Sequence, residues 1–169
     1  MRVLVTGSPG AGKTTLLSAP FPGFRLVPDL SRVVIERDGL HPLANHEAFQ
    51  QQWFGRMFNA YNQATGSTIF EYGLPDVLVY YRWREGPGYE VAKHMTDAIK
   101  SKRYDMVAIV DPIPSEYYSR DTARTMPYED ALTIHAITVR IYAEWGYTPA
   151  HVPFMEVAER QNYLASLIR

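Results

Sequence analysis

Near the start of the chain, residues 7–14 read Gly-Ser-Pro-Gly-Ala-Gly-Lys-Thr. This run matches the pattern G-x-x-x-x-G-K-[ST] at every specified position. Glycines let the backbone turn tightly, so successive N–H groups can point at one anion. Lys13 can then reach the β- and γ-phosphate oxygens, and the Thr14 hydroxyl can hold Mg²⁺. The pattern predicts a nucleoside triphosphate site formed by Gly7, Ser8, Pro9, Gly10, Ala11, Gly12, Lys13, Thr14 and Thr15.

The flanking residues supply the setting that this loop needs. Residues 2–6 are a short apolar run typical of a buried strand, and residues 14–17 open a helix. The N-terminus of that helix adds the positive end of its dipole to the anion site.

Three acidic residues follow other predicted strands: Asp29, Glu71 and Asp111. In parallel sheets, ligands bind beyond the carboxyl ends of the strands, so we expect these residues near the phosphate loop. One of them should complete the Mg²⁺ shell. We favour Glu71 and keep Asp111 as the alternative, because Pro112 follows Asp111 and an Asp-Pro pair is also typical of a turn.

Asp29 and Arg32 are three residues apart at the start of a predicted helix, so they share a face. Asp29 can accept a proton from an acceptor hydroxyl, and Arg32 can bind its phosphate or sugar. The alternative is that Asp29 only caps the helix while Arg32 is a surface charge.

Arg120 and Arg124 are four residues apart in a polar segment, so both can point the same way. We predict that residues 115–125 form a lid whose arginines stabilise charge in the transition state, with Glu116 and Asp121 orienting them. The alternative is an exposed loop of mixed charge.

Aromatic residues make up 13% of the chain. Trp53, Met57 and Tyr61 recur at helical spacing, which predicts a core stripe. Four aromatics follow Glu71 and are candidates for stacking on a base: Tyr72, Tyr80, Tyr81 and Trp83. A weaker possibility is a DNA groove that adds Arg56, Arg82 and Arg84.

Composition indicates one globular domain: the 169 residues are 46% hydrophobic, with a net charge of −1. That balance argues against binding nucleic acid by bulk electrostatics. Cysteine is absent, and the five histidines lack metal-ligand spacing, so we expect neither disulfides nor a zinc site. The chain opens directly on a strand and has no apolar run of about 20 residues. We expect a cytoplasmic protein (host cytoplasm if phage-encoded) with no membrane contact.

Predicted strands alternate with predicted helices. The strands are residues 2–6, 24–27, 67–70, 104–110 and 147–152. The helices begin at residue 14 and then cover 29–37, 45–64, 74–83, 89–102, 128–145 and 155–168. This alternation predicts an α/β fold with a mostly parallel sheet covered by helices, in a single domain over residues 1–169.

With these motifs in hand, the chain resembles the P-loop kinases, and among them the NadR-like ATPase/kinase family of small AAA-domain proteins. The likeness lies in the phosphate loop, in residues 27–32, 70–76 and 120–124, and in the closing residues 144–147 and 152–153. It implies a three-layer sandwich around a five-stranded parallel sheet in the order 2-3-1-4-5. It also implies ATP-dependent phosphorylation of a nucleoside-like hydroxyl or phosphate.

The resemblance implies acceptor binding by Asp29, Arg32, Glu71, Tyr72 and Asp76. Two positions depart from the family pattern. Tyr72 stands where the family has arginine, and Asp29 stands where it often has glutamate.

We therefore expect a kinase that uses ATP and Mg²⁺, with Lys13, Asp29, Arg120 and Arg124 as catalytic residues. The acceptor would be a nucleoside, a nucleotide or a similar small molecule. One alternative is a kinase for nucleic acid, acting at a 5′ end or on a hydroxymethylated base. Another is an NTP-hydrolysing switch or motor, although an N-K-x-D motif for guanine is absent.

Overall fold

The computed structural model describes residues 1–118 and 126–168. Within these residues, five strands alternate with seven helices and one short 3₁₀ turn at Ser115–Tyr117. The strands are β1 (Arg2–Thr6), β2 (Arg25–Val27), β3 (Thr68–Glu71), β4 (Met106–Val110) and β5 (Ala150–Val152). The helices are α1 (Lys13–Leu16), α2 (Ser31–Asp38), α3 (His46–Gln63), α4 (Asp76–Glu85), α5 (Lys93–Ser101), α6 (Tyr128–Glu144) and α7 (Val157–Leu167).

The sheet is entirely parallel, in the order β2-β3-β1-β4-β5. This arrangement confirms the predicted α/β fold and strand order. Val5 of β1 is in register with Glu71 of β3 on one side and with Ala108 of β4 on the other. The carboxyl ends of the three central strands therefore meet at one edge, beside the phosphate loop.

The central strand β1 is buried on both faces, as its continuous apolar run predicts. Val3 and Val5 pack on one face with Leu16 of α1 and Leu164 of α7. Leu4 packs on the opposite face in a cluster with Tyr142 of α6. A larger apolar cluster joins α3 to α6 on that second side.

Several element boundaries differ from the sequence prediction. The predicted helix over 89–102 is confined to α5, because the backbone is still extended at Ala92, with a φ of −49° and a ψ of 133°, and the helix begins at Lys93. Helix α4 begins at Asp76 rather than at residue 74, directly after Pro75. Strand β5 begins only after Pro149 and is shorter than the predicted strand. None of the helices in the described ranges is long and apolar enough to cross a membrane.

A buried carboxylate connects three elements of the fold. Asp76, only 1% exposed, accepts hydrogen bonds from the Thr6 hydroxyl at 2.6 Å, the Gly73 amide at 2.7 Å and the Tyr142 hydroxyl at 3.0 Å. These bonds join β1, the β3–α4 connection and α6. Burial raises the pKa of Asp76 to about 6, even though the three hydrogen bonds favour the ionised form.

Glycine is required at position 73 because the β3–α4 connection passes close to its neighbours. A Cβ there would lie 2.7 Å from the Tyr104 hydroxyl oxygen and 2.9 Å from the Leu4 methyl carbons. We predict that Gly73→Ala destabilises the protein by about 1–3 kcal/mol through overpacking. Urea unfolding followed by circular dichroism measures this change.

Gly55 is the matched control, because it lies inside α3 and a Cβ there would meet no atom within 4 Å. Gly55→Ala should stabilise the protein by about 0.5–1 kcal/mol, since alanine loses less conformational freedom in a helix. Equal effects of the two substitutions would contradict the packing described for Gly73.

The raised pKa of Asp76 predicts a pH dependence of stability. The folded state holds the Asp76 proton more tightly than the unfolded chain, whose pKa is near 3.8. The contribution of the protonated Asp76 to the free energy of unfolding is therefore present at low pH and is lost as the pH rises through about 6. Between about pH 4.5 and about pH 7.5 it amounts to a loss of about 2 kcal/mol.

Asp76→Asn removes this titration and keeps the shape of the side chain. We expect the unfolding free energy of the variant to lose about 2 kcal/mol less than that of the parent over the same interval. Urea titrations at both pH values measure the difference, and parallel pH profiles for the two proteins would show that Asp76 ionises normally in the fold.

Candidate functional site

The phosphate loop connects β1 to α1 and requires glycine at two tight approaches. Gly7 has a φ of 142°, and a Cβ there would lie 2.5 Å from the Val110 carbonyl oxygen. Gly10 has a φ of 78°, and the ring of Tyr118 packs directly against it. The loop is therefore pressed between the end of β4 and the segment that follows it.

Lys13 lies at the start of α1 and is only 5% exposed. Its ammonium donates hydrogen bonds to the carbonyl oxygens of Gly7 at 2.9 Å and Ser8 at 2.8 Å. The same ammonium lies 4.3 Å from the centre of the Tyr72 ring. Backbone carbonyls and an aromatic face thus keep this cation beside the loop.

Thr14 and Glu71 meet across the sheet. The Thr14 hydroxyl donates to Glu71 Oε1 at 2.7 Å, and Glu71 is only 3% exposed. The β1–β3 register delivers Glu71 to this position. A hydroxyl and a carboxylate oxygen so close together are ligands of the kind that Mg²⁺ prefers.

Asp111 has different neighbours, although it also follows a strand. Its Oδ1 lies 2.9 Å from Nδ1 of His151 and 3.9 Å from Nε2 of His135. The ligand atoms of these three residues all lie within 4.8 Å of one another, and burial lowers the pKa of His135. The fold therefore gathers two histidines that the sequence spacing left scattered, and it brings Glu71 rather than Asp111 to Thr14.

A cavity of about 230 Å³ opens beside the phosphate loop. Residues of the loop and of the predicted acceptor set line it together: Pro9, Gly10, Gly12, Lys13, Thr14, Asp29, Arg32, Glu71 and Tyr72. Asp76 is not among the described residues of its wall, because its carboxylate is buried among Thr6, Gly73 and Tyr142.

Asp29 and Arg32 both face this cavity from the start of α2. Asp29 Oδ1 accepts a hydrogen bond from the Ser31 amide at 2.8 Å. The carboxylate thus satisfies one of the free amides at the helix start, which also holds it in a set orientation at the wall.

The predicted lid is described only in part. Arg120, Asp121 and Arg124 lie outside the described residues. On the described side, Tyr118 packs on Gly10 and its hydroxyl donates to the Met126 carbonyl at 3.0 Å. The described residues on either side of 119–125 therefore meet next to the phosphate loop.

Tyr72 has an unusual backbone conformation, with a φ of 68°. Left-handed geometry is uncommon for a bulky side chain and costs free energy. Burial raises the pKa of Tyr72 well above its ordinary value, so its hydroxyl stays protonated. The ring lies where the family pattern has an arginine, and its face contacts the Lys13 ammonium.

Part of the cavity wall is formed by α3, which the sequence did not predict to belong to the site. Helix α3 contributes four residues to that wall: His46, Phe49, Gln50 and Trp53. Trp53 is both a core residue, at 2% exposure, and part of the wall. The readable signal was the presence of two polar residues, His46 and Gln50, on the apolar face of α3.

The remaining aromatic and basic candidates divide between the wall and other contacts. Tyr80 and Trp83 line the cavity, whereas Tyr81 packs against His46 and Tyr89. Two of the three arginines suggested for a DNA groove form ion pairs: Arg56 with Asp38 and Arg82 with Glu144.

Arg160 of α7 is a further residue at the phosphate loop that the sequence did not predict. It is only 5% exposed, and its Nη1 donates to the Ala11 carbonyl of the phosphate loop at 3.2 Å. Burial lowers the pKa of Arg160 from its ordinary value. This contact supports the loop from the side opposite the cavity wall formed by α3.

Solved structures share this fold. The NadR protein in complex with NR superposes with a TM-score of 0.78 at 17% identity, covering 99% of this chain and 50% of that one. Deoxyadenosine kinase from M. mycoides superposes with a TM-score of 0.66 at 13% identity, and the match covers 99% of this chain and 98% of that one. Shikimate kinase from Aquifex aeolicus superposes with a TM-score of 0.55 at 18% identity, and the match covers 99% of this chain and 96% of that one. The chain spans half the length of the NadR chain.

No curated protein matches the chain in sequence. The profile of one family, described as the AAA domain, matches residues 2–160 and so includes the phosphate loop, all five strands and the first turn of α7. The fold is that of the P-loop kinases, and the chain belongs to this AAA domain family.

Proposed function

We propose that the protein is an ATP- and Mg²⁺-dependent kinase that transfers the γ-phosphoryl group to a nucleoside, a nucleotide or a similar small molecule. The observation that carries this proposal is a single cavity shared by two sets of residues. The phosphate loop with Lys13, Thr14 and Glu71 lines this cavity, and so does Asp29. Donor and acceptor groups would therefore meet in one space.

The chain's own residues suit phosphoryl transfer, which depends mainly on positioning and charge neutralisation. Lys13 and the loop amides would hold the β- and γ-phosphates. Thr14 and Glu71 would hold Mg²⁺, which neutralises charge on the phosphate oxygens when it is bound. Arg120 and Arg124 would close over the transferred group.

On the acceptor side, Asp29 would orient or deprotonate the attacking hydroxyl. Its fixed carboxylate supports this role, because the Ser31 amide already holds one oxygen at 2.8 Å. Arg32 would bind a phosphate or sugar oxygen of the acceptor, and Tyr72 would contribute through its contact with Lys13.

Two facts support a small acceptor over a polymer. The cavity measures about 230 Å³, and α3 forms part of its wall, a space suited to a base and sugar. The net charge of −1 also gives no general attraction to a nucleic acid backbone. Structures of similar fold include a deoxyadenosine kinase and a thymidylate kinase, which supports a nucleoside or nucleotide acceptor.

Release of ADP from ATP in the presence of Mg²⁺ tests the proposal directly. The panel should contain nucleosides, deoxynucleoside monophosphates, a cyclic polyol acid, and oligonucleotides with a free 5′ hydroxyl. We expect ADP release to depend on one of the small acceptors. Activity that requires an oligonucleotide would instead identify a nucleic acid kinase, and hydrolysis that no acceptor stimulates would identify a switch.

We predict that Lys13→Ala lowers kcat/KM by at least about 100-fold, because it removes a cation that faces charge developing on the phosphate. Lys100→Ala is the control, since Lys100 is exposed on α5 outside the cavity wall. Steady-state kinetics of both variants measure the effect. A Lys13→Ala enzyme that matches the control would remove the phosphate loop from the mechanism.

We also predict that Glu71→Gln lowers kcat by about 10- to 1,000-fold and raises the Mg²⁺ concentration needed for half-maximal rate. The glutamine keeps an oxygen for the Thr14 hydroxyl but loses the charge that attracts the ion. Glu85→Gln, at an exposed position late in α4, should behave like the parent. If the Mg²⁺ concentration needed for half-maximal rate is unchanged in Glu71→Gln, then Glu71 does not hold the metal and another residue must do so.

A further inference from the structure

Three polar side chains on one face of α3 have atoms with no hydrogen-bond partner among the residues that the structure describes. Gln50 is 0% exposed, and both its amide oxygen and its amide nitrogen lack a partner. The Trp53 indole nitrogen and the His46 Nε2 are buried and unpaired as well. Positions 46, 50 and 53 recur at helical spacing, and all three side chains line the cavity.

Such groups are costly in a folded protein. A buried amide without a partner forfeits the hydrogen bonds it makes to water, and native structures leave few side-chain groups in that state. These three lie side by side in the cavity wall rather than scattered through the core. A ligand that enters the cavity would supply the missing partners.

The donor and acceptor character of the three groups can be assigned from their surroundings. His46 Nδ1 lies 3.1 Å from the Pro42 carbonyl oxygen, which can only accept, so Nδ1 is the donor in this contact. In the tautomer that carries its proton on Nδ1, Nε2 is an acceptor. The Trp53 indole only donates, and the Gln50 amide does both. The wall therefore matches a ligand edge that carries a donor beside an acceptor.

Aromatic side chains surround this polar edge. The Trp53 ring meets the rings of Tyr72 and Tyr80 edge-on, each with centroids 5.4 Å apart. Phe49 and Trp83 complete the aromatic lining. Flat apolar walls favour a flat ligand group, which can contact them over its whole face.

We propose that His46, Gln50 and Trp53 form the specificity subsite for the acceptor, and that this subsite reads the edge of a planar nitrogen heterocycle such as a nucleoside base. The inference rests on the proposed function and narrows its acceptor class. The base edge pairs with the Gln50 amide while the ring packs among the aromatic residues. The sugar then extends toward Asp29 and the phosphate loop, which line the same cavity. An acceptor without a planar ring edge leaves the buried amide unpaired and is rejected.

Gln50→Leu tests the subsite, with Gln52→Leu as the matched control at an exposed position on the same helix. The probes are thymidine, deoxycytidine, deoxyadenosine and deoxyguanosine, measured by calorimetry and by initial rates with ATP. We expect Gln50→Leu to weaken binding, or raise KM, of the preferred nucleoside by about 10- to 100-fold. The Kd for ATP should stay within about twofold of the parent value, since Gln50 lies on α3 whereas the phosphate loop connects β1 to α1.

Thermal unfolding without ligand separates recognition from a structural role. Replacing an unpartnered amide by an apolar group relieves a desolvation cost, so Gln50→Leu should keep or raise the Tm. A structural role for Gln50 predicts the reverse: a lower Tm and weaker ATP binding together. That combination would overturn the proposal.

Trp53→Phe provides a second variant that keeps the aromatic ring and removes the indole N–H. It should raise KM for the same nucleoside by about 3- to 30-fold with little change in kcat. Trp145→Phe, after the end of α6 and away from the cavity, is its control. Unchanged KM values in both Gln50→Leu and Trp53→Phe would refute the subsite.

The outcomes also separate this inference from the proposed function. If a nucleoside is phosphorylated and its KM is the same in the parent, Gln50→Leu and Trp53→Phe, the kinase assignment stands and the proposed subsite is wrong. If a nucleoside binds and Gln50→Leu abolishes that binding, yet no ADP forms, the subsite stands and the reaction is wrong. Phosphorylation of the cyclic polyol acid alone would contradict the base-reading subsite.

Discussion

The register of β1 between β3 and β4 is the constraint on which the site depends. Val5 pairs with Glu71 on one side, and Gly7 packs against the Val110 carbonyl on the other. A slip of one residue would turn each side chain to the opposite face and remove Glu71 from Thr14. The parallel backbone ladder therefore places the carboxylate beside the phosphate loop, and α1 provides the Thr14 hydroxyl that contacts it.

Around this centre the protein buries several polar groups that support one another. Asp76 joins β1 to α6 through its hydrogen bonds with Thr6 and Tyr142. The β3–α4 connection that leads to Asp76 also places the Tyr72 ring against Lys13. The left-handed conformation of Tyr72 is sustained by the packing of its ring in the core. Strained backbone of this kind is characteristic of functional positions, where surrounding contacts offset its cost.

The part of the cavity wall formed by α3 shows a different balance between stability and binding. Gln50 and Trp53 belong to a helix whose other inward residues are apolar core. Apolar residues at both positions would satisfy the fold at lower cost. Both residues instead line the cavity, and their polar atoms have no partner in the described part of the chain, which is the pattern expected where binding rather than folding determines the residue.

Much of the fold was readable from the sequence because its signals are local. The phosphate loop, the strand that precedes it and the alternation of strands with helices all depend on residues close together in the chain. The strand order followed from resemblance and is confirmed. The prediction was wrong over residues 89–92, which precede α5, because the backbone at Ala92 is still extended and the helix begins only at Lys93.

Within the candidate site, the sequence alone determined the phosphate loop and the group of strand-end acids from which a metal ligand would come. Only the tertiary structure decided that Glu71 meets Thr14, that Asp111 meets two histidines, and that Asp76 is buried away from the cavity. It also decided that Gln50 faces a cavity rather than a core partner. These outcomes depend on which face of a strand or helix meets which neighbour. Residues far apart in the chain settle that choice together, so no local pattern records it.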